Sequence, residues 1–284
     1  MIILLQWYDE APAGLKTVIG AIKSGLFRLS PGHHSSHRWY GHYRQRVLRR
    51  TLKHPFNLQQ LPPGYGRWLD ERLVEYPWML SRLPQGRADL LDAGSTLNHR
   101  FILSHPILRD KNITVFTLAP EPECYWRERI SYVFGDLRDI YFRDRSFSVV
   151  VCLSVLEHVG LDTRMYDPKR FAGERDPEAY LAAVDEMHRV LKPGGSCLIS
   201  VPFGKYQLRS WLQVFDSVMV ERIVATFRPA TYDVTFFRYT ENAGWQLSTR
   251  EDAADAPYFD LHSDTPWPGC PAGAGAVACL ELKK

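Results

Sequence analysis

The chain has 284 residues, 45% hydrophobic and 24% charged, with a formal net charge of +3; this suffices to bury a core without disulfide or metal staples, in one large domain or a domain with an appendage. Its five cysteines (Cys124, Cys152, Cys197, Cys270, Cys279) are scattered, odd in number and without C-x-x-C spacing, which argues against a disulfide framework and a zinc site and places Cys152 and Cys197, within apolar runs, in the core. No stretch approaches the roughly 18 apolar residues of a spanning helix, and MIILLQWYDE, acidic by Asp9, lacks the basic start and cleavage site of a secretion signal, so a cytoplasmic location is expected.

Leu15, Val18, Ile19, Ile22, Leu26 and Phe27 recur at helical spacing and predict an amphipathic helix of about three turns. SPGHHSSHR reads as a loop, and Trp39 to Lys53 as a second, basic helix ended by His54-Pro55. After the break at LPPGYG, Arg67 to Leu83 is expected to be helical, packing Trp68, Leu73, Tyr76 and Leu80 on the main domain. From Ala88 the pattern alternates strands and helices, the sign of a parallel α/β sheet. Strands are expected at Ala88–Asp92, Thr114–Leu118, Ser131–Phe134, Val149–Leu153 and Ser196–Val201, with a helix over Pro177–Leu191 stopped by Pro193-Gly194-Gly195. Val149–Leu153 is apolar on both faces, as a central parallel strand should be. The tail offers Ala225–Thr235 and Val277–Leu282 as last strands, the latter at an edge. Two regions follow: a basic helical N-terminal extension over 1–83 and an α/β domain over 84–284.

Three blocks stand at strand ends in a fixed order: LLDAGSTLN, then GDLRDIYFRDRSFSVVVCLSVLEHV, then HRVLKPGGSCLISVPFG. Together they resemble the Rossmann-like class I methyltransferases, over Leu90 to Phe203, about 40% of the chain. The resemblance implies a doubly wound, mainly parallel, seven-stranded sheet and S-adenosylmethionine as cofactor. It also implies a cofactor site at Asp92, Gly94, Ser95, Thr117, Asp136, Leu137 and Ser154.

Physical chemistry supports these positions unequally. Gly94 lets backbone approach a ligand closely, while Thr96 stands where the family usually has a second glycine; Ser95 and Thr96 add hydroxyl donors for the methionine carboxylate. Thr117 stands where the family ends its second strand with an acid for both ribose hydroxyls, and it cannot accept two charge-assisted bonds; Glu121, four residues on, is the candidate substitute. Asp136-Leu137 matches best, since an acid suits the adenine amino group and the next backbone amide suits a ring acceptor. His158 is the candidate general base, against the reading that it is structural. Between His158 and Pro177 lies a long polar loop whose Asp162 and Tyr166 are candidate acceptor contacts.

From Ala11 to Leu69 there is no Asp or Glu but ten Lys or Arg and five His, six of the Lys and Arg falling within Arg38–His54. Such a field suits an anionic membrane surface, a pyrophosphate-linked lipid or a nucleic acid, although no nucleic-acid module is visible. The amphipathic helix favours a peripheral position at the inner membrane surface or a lipid-linked acceptor, against the plainer readings of a helical lid or a dimer contact. The expected activity is O-methylation of a sugar or other polar acceptor in glycan or small-molecule biosynthesis, NHRFILSHPIL and FTLAPE resembling members associated with bacterial glycan assembly. The alternatives are a non-catalytic methyltransferase-like binding or scaffold protein, suggested by Thr96 and Thr117, and a nicotinamide-dependent dehydrogenase, disfavoured by the missing glycine and ribose acid.

Overall fold

The computed structural model describes residues 13–30, 33, 37–53, 57–164, 173–260, 264 and 273–284. Three helices come first: α1 (Ala13–Leu29), α2 (Tyr40–Thr51) and α3 (Arg72–Arg82). Strand β1 (Ala88–Ala93) then opens the sheet, followed by the short α4 (Arg100–Leu103), β2 (Lys111–Thr117), β3 (Ile130–Phe134) and β4 (Phe147–Leu153). Helix α5 (Tyr180–Val190) leads directly into β5 (Leu191–Pro202). A small ribbon of β6 (Gln207–Leu208) and β7 (Gln213–Val214) precedes α6 (Ser217–Phe227), β8 (Thr231–Thr240), β9 (Gly244–Ser248), α7 (Arg250–Ala253) and β10 (Ala276–Lys283).

The main sheet runs β3-β2-β1-β4-β5-β10-β8-β9. Strands β1 to β5 are mutually parallel, whereas β10 is antiparallel to both β5 and β8, and β9 is antiparallel to β8. This is a Rossmann-like α/β fold with a mostly parallel centre. The sheet has eight strands rather than seven, because the chain adds β9 beyond β8. In the tail one expectation fails and another holds only in part. β10 lies between β5 and β8, not at an edge, and its residues from Ala276 to Leu280 are all buried. Ala225–Thr235 is strand only from Thr231, where β8 begins and runs on to Thr240; residues 225–227 are the last of α6, which Asp216 caps by accepting from the Met219 amide at 3.0 Å. Phe227 shares the buried helical face of Met219, Val220 and Ile223, so helical spacing carries α6 past Ala225 and delays the strand.

Alternation along the strands divides the core into two layers. Val149, Val151 and Leu153 of β4 face one layer, together with Leu90, Leu198 and Cys279. Val150 and Cys152 face the other, with Leu91, Cys197 and Ile199, under α5 and α6. Cys152 and Cys197 are buried there, and burial pushes both thiols well above their ordinary pKa. The first layer is closed by the N-terminal helices. Leu73, Val74, Tyr76, Trp78, Met79 and Leu80 of α3 are buried in it, as are Phe27, Tyr40 and Leu48 from α1 and α2. The segment before residue 84 therefore supplies one of the two layers covering the sheet. No helix among the described residues is long and apolar enough to cross a membrane.

Candidate active site

β1 pairs with β2 on one side and β4 on the other, so successive chain connections leave it in opposite directions. Such a switch point opens a crevice beyond the carboxyl ends of the strands. A cavity of about 850 Å³ lies there, walled by the segments that follow β1, β2, β3 and β4. Its size falls within the roughly 300–1,000 Å³ of small-molecule sites.

At the end of β1, Gly94 has φ +110° and lines the cavity with Thr96. A Cβ there would lie 2.3 Å from Val155 Cγ2. The glycine is thus required first by the residue that follows β4, and only then by any ligand. Asp92 is fully buried and does not wall the cavity. Its carboxylate accepts from the Thr96 amide at 3.1 Å, the Thr96 hydroxyl at 3.3 Å and the Leu97 amide at 2.9 Å. Burial raises its pKa to about 7, with those bonds opposing the rise. Asp92 therefore shapes the loop from behind. Ser95, in the left-handed region at φ +65°, keeps a buried hydroxyl with no partner among the described residues.

Behind β4 lies a network that the sequence reading missed. Glu75 of α3 is completely buried. Its Oε1 accepts from the Ser154 and Ser200 hydroxyls, each at 2.6 Å, and its Oε2 from Arg72 at 2.7 Å. The same Arg72 nitrogen donates to the Leu153 carbonyl at 3.0 Å, and Arg72 reaches the cavity wall. Ser154, at φ +45°, also receives its position from the Ser200 carbonyl, to which its amide donates at 2.9 Å. Tyr76 donates to the Thr96 carbonyl at 2.7 Å, tying α3 to the glycine loop as well. The one available signal was an Arg-x-x-Glu pair inside an otherwise apolar helix, where charges survive only with partners.

Thr117 and Glu121 both wall the cavity after β2. Asn98 Nδ2 reaches Glu121 Oε2 at 3.5 Å, which orients that carboxylate beside the loop of β1. After β3, Asp136 and Leu137 also line the cavity, but Asp136 already has a partner. Arg138 donates to it from its amide at 2.9 Å, from Nε at 3.0 and 3.1 Å and from Nη2 at 2.6 Å. Burial works to raise the Asp136 pKa, and the Arg138 bonds outweigh it, holding the carboxyl below its ordinary range. Arg138 in turn donates from Nη1 to Glu174 at 2.5 Å. Sequence reasoning missed Arg138 and Glu174, because an ordinary charged loop gives no sign of such a clasp. The Leu137 amide donates to no group among the described residues.

His158 closes the one-turn 3₁₀ segment Leu156–His158 and walls the cavity. Its ring stacks on Trp211 with centroids 5.0 Å apart, and Nδ1 lies 2.9 Å from the Trp211 carbonyl. A carbonyl can only accept, so Nδ1 carries the proton and Nε2 is the free base. Nε2 is 3.8 Å from Glu157 Oε1, too far for a hydrogen bond. Burial lowers the His158 pKa to about 4 and pushes the Glu157 carboxyl well up. At neutral pH the imidazole is therefore uncharged, and the two do not form an ion pair.

The expected acceptor contacts are only partly brought to the cavity. The Asp162 carboxylate is taken up by Arg164, whose amide donates at 3.1 Å and Nε at 2.9 Å, and these bonds lower its pKa to about 2. Its neighbour Thr163 lines the cavity instead, with Gly173 and Glu174. Tyr166 lies outside the described residues.

Residues 108–199 match the family model of a methyltransferase domain. No curated protein matches the chain in sequence. Among solved structures, the chain is similar to Burkholderia thailandensis 1,6-didemethyltoxoflavin-N1-methyltransferase, bound to 1,6-didemethyltoxoflavin and S-adenosylhomocysteine, at 16% identity over 74% of this chain and 76% of that one, with a TM-score of 0.45. It is similar to an S-adenosylmethionine-dependent methyltransferase from Thermotoga maritima at 12% identity, over 75% of this chain and 89% of that one, with a TM-score of 0.47. A third is Haemonchus contortus phosphoethanolamine N-methyltransferase 2 in complex with S-adenosylmethionine, at 16% identity over 66% and 42% of the two chains and a TM-score of 0.41. The matched segment runs from before β2 into β5 and contains the cavity walls that follow β2, β3 and β4. Over that segment the chain resembles a methyltransferase domain.

Proposed function

We propose that the cavity at the switch point holds S-adenosylmethionine and that its open end presents a polar acceptor, a sugar hydroxyl or a similar group, to His158. The observation that carries this reading is the convergence of Gly94, Thr117, Asp136-Leu137 and Ser154-Val155, from four successive strand ends, on one cavity of cofactor size. The residues present suit the cofactor. Gly94 gives a ligand close approach to a loop whose Thr96 and Leu97 donors are held by Asp92, and the neighbouring Ser95 hydroxyl is a donor that no described residue uses. Thr117 and Glu121 stand where ribose hydroxyls need acceptors, and the Leu137 amide is available to an adenine ring nitrogen.

When bound, the cofactor supplies an electrophilic methyl group on a sulfonium that leaves as a neutral thioether. Most of what the protein contributes is position. As the acceptor oxygen bonds the methyl carbon its proton must depart, and His158 Nε2 is the unprotonated nitrogen that takes it. Thr163 and Glu174 at the wall give a polar acceptor hydrogen-bonding partners, which favours a sugar over an apolar substrate.

Calorimetry tests the reading. Asp136→Ala is expected to weaken S-adenosylmethionine binding by about 1–3 kcal/mol, the range for losing a bond to a charged acceptor. Arg138→Ala, which releases the carboxylate without deleting it, is expected to leave affinity equal or higher. Unchanged binding by a folded Asp136→Ala variant removes Asp136 from the site. S-adenosylhomocysteine release over a panel of sugars and amines then tests the acceptor class, and turnover confined to amines would overturn the hydroxyl.

A further inference from the structure

Helix α1 is apolar on two opposite faces. One face turns inward: Phe27 is fully buried, stacks on Tyr43 at 4.9 Å and meets Tyr40 edge-on at 6.0 Å, and the Ser24 hydroxyl reaches the His42 carbonyl of α2 at 3.3 Å. The other carries Leu15, Val18, Ile22, Leu26 and Leu29, which are between 39% and 85% exposed. Their spacing of three and four residues confines all five to an arc of about 80°, roughly opposite Phe27, along a helix about 25 Å long. Single exposed apolar residues are ordinary, but a continuous stripe on one helix needs a partner.

The surrounding charge says which partner. No Asp or Glu occurs between residues 11 and 69. Arg28, Arg38, Arg46, Arg49, Arg50 and Lys53 are exposed on this helical pair and the turns at its ends. A second copy of the chain seated on the stripe would bring two such cationic segments together, at an electrostatic cost. Nucleic acid would satisfy the cations but leave the stripe in water. A helix lying in the plane of an anionic lipid surface satisfies both, since its apolar side enters the headgroup boundary while Lys and Arg meet lipid phosphates. We propose that α1 docks the protein on an anionic membrane surface through Leu15, Val18, Ile22, Leu26 and Leu29, with the cations of α1 and α2 as the electrostatic part of the contact.

Co-sedimentation of the full chain with vesicles of phosphatidylcholine, alone or mixed with phosphatidylglycerol, tests this. Binding to the anionic vesicles is expected to be at least about ten-fold tighter than to the neutral ones, and to weaken at high salt as screening shortens the field. Val18→Asp combined with Ile22→Asp changes two exposed positions, so circular dichroism and melting should match the parent while vesicle binding falls by about ten-fold or more. Arg46→Glu with Arg50→Glu is expected to remove the preference for anionic lipid. The proposal is overturned if the full chain shows no such preference, or if the stripe variant binds as the parent does. It is equally overturned if sedimentation velocity shows self-association that the stripe variant abolishes, without vesicle binding; the stripe would then belong to a second copy.

Discussion

Gly94→Val is expected to abolish S-adenosylmethionine binding and to lower the melting temperature in the same variant. Two costs add at this position. A β-branched residue is held at φ +110°, where L side chains are strained. Its Cβ also falls 2.3 Å from Val155 Cγ2 and 2.7 Å from Cγ1, in a packed junction between the ends of β1 and β4. Overpacking and backbone strain each cost about 1–3 kcal/mol, and relief requires Val155 to move towards the cavity that both residues line. Gly94→Ala separates the two. Alone it should destabilise, and Val155→Ala in the same chain should recover the steric part but not the part due to φ. A Gly94→Ala variant that melts and binds like the parent would show that the junction yields freely.

The second large effect is expected at His158. His158→Ala should lower turnover by about 10²-fold, the lower end of the 10²–10⁴ range for general acid–base catalysis, with cofactor affinity little changed. The lower end follows from the imidazole pKa of about 4: the base is always available near neutrality, but it is a weak one. For the same reason the rate profile should be flat between pH 5.5 and 8 and bend only near pH 4. Flatness in the neutral range therefore does not speak against a catalytic histidine; a near-normal rate in the alanine variant does. Stability carries the complementary signature. Above about pH 6.5 the ring is neutral in both folded and unfolded chains. Below that the unfolded chain takes up a proton the folded one resists, so stability declines as pH falls from about 6.5 towards 4. His158→Ala should flatten that decline.

The strands of the parallel half were legible because their physics is local. FSVVVCL, apolar on both faces, has no place but the middle of a covered sheet, and the glycine loop and acidic turn sit at strand ends where ligands bind. The tail was less legible, since β10 is placed by pairing with β5 and β8, distant in sequence, and the end of α6 was read as the start of β8. Site positions were readable one by one, but not their mutual arrangement. Nothing in LLDAGSTLN says that Asp92 is spent on the loop's own amides, or that Val155, sixty residues later, is what demands Gly94. Arg72, Glu75, Arg138 and Glu174 escaped because a charged side chain looks solvated until its partner is placed beside it.

The buried carboxylate of Glu75 has a consequence for what counts as the minimal working protein. It holds hydroxyls from the ends of β4 and β5 and the guanidinium that reaches the Leu153 carbonyl. Excising the α/β portion from residue 84 onward would leave the Ser154 and Ser200 hydroxyls stripped of their shared acceptor beneath the cofactor floor, and would bare the apolar side of the sheet. The helical region ahead of β1 is thus a keystone of the site. Domain grafting should never cut at the start of the first strand, because α3 has to travel with the sheet.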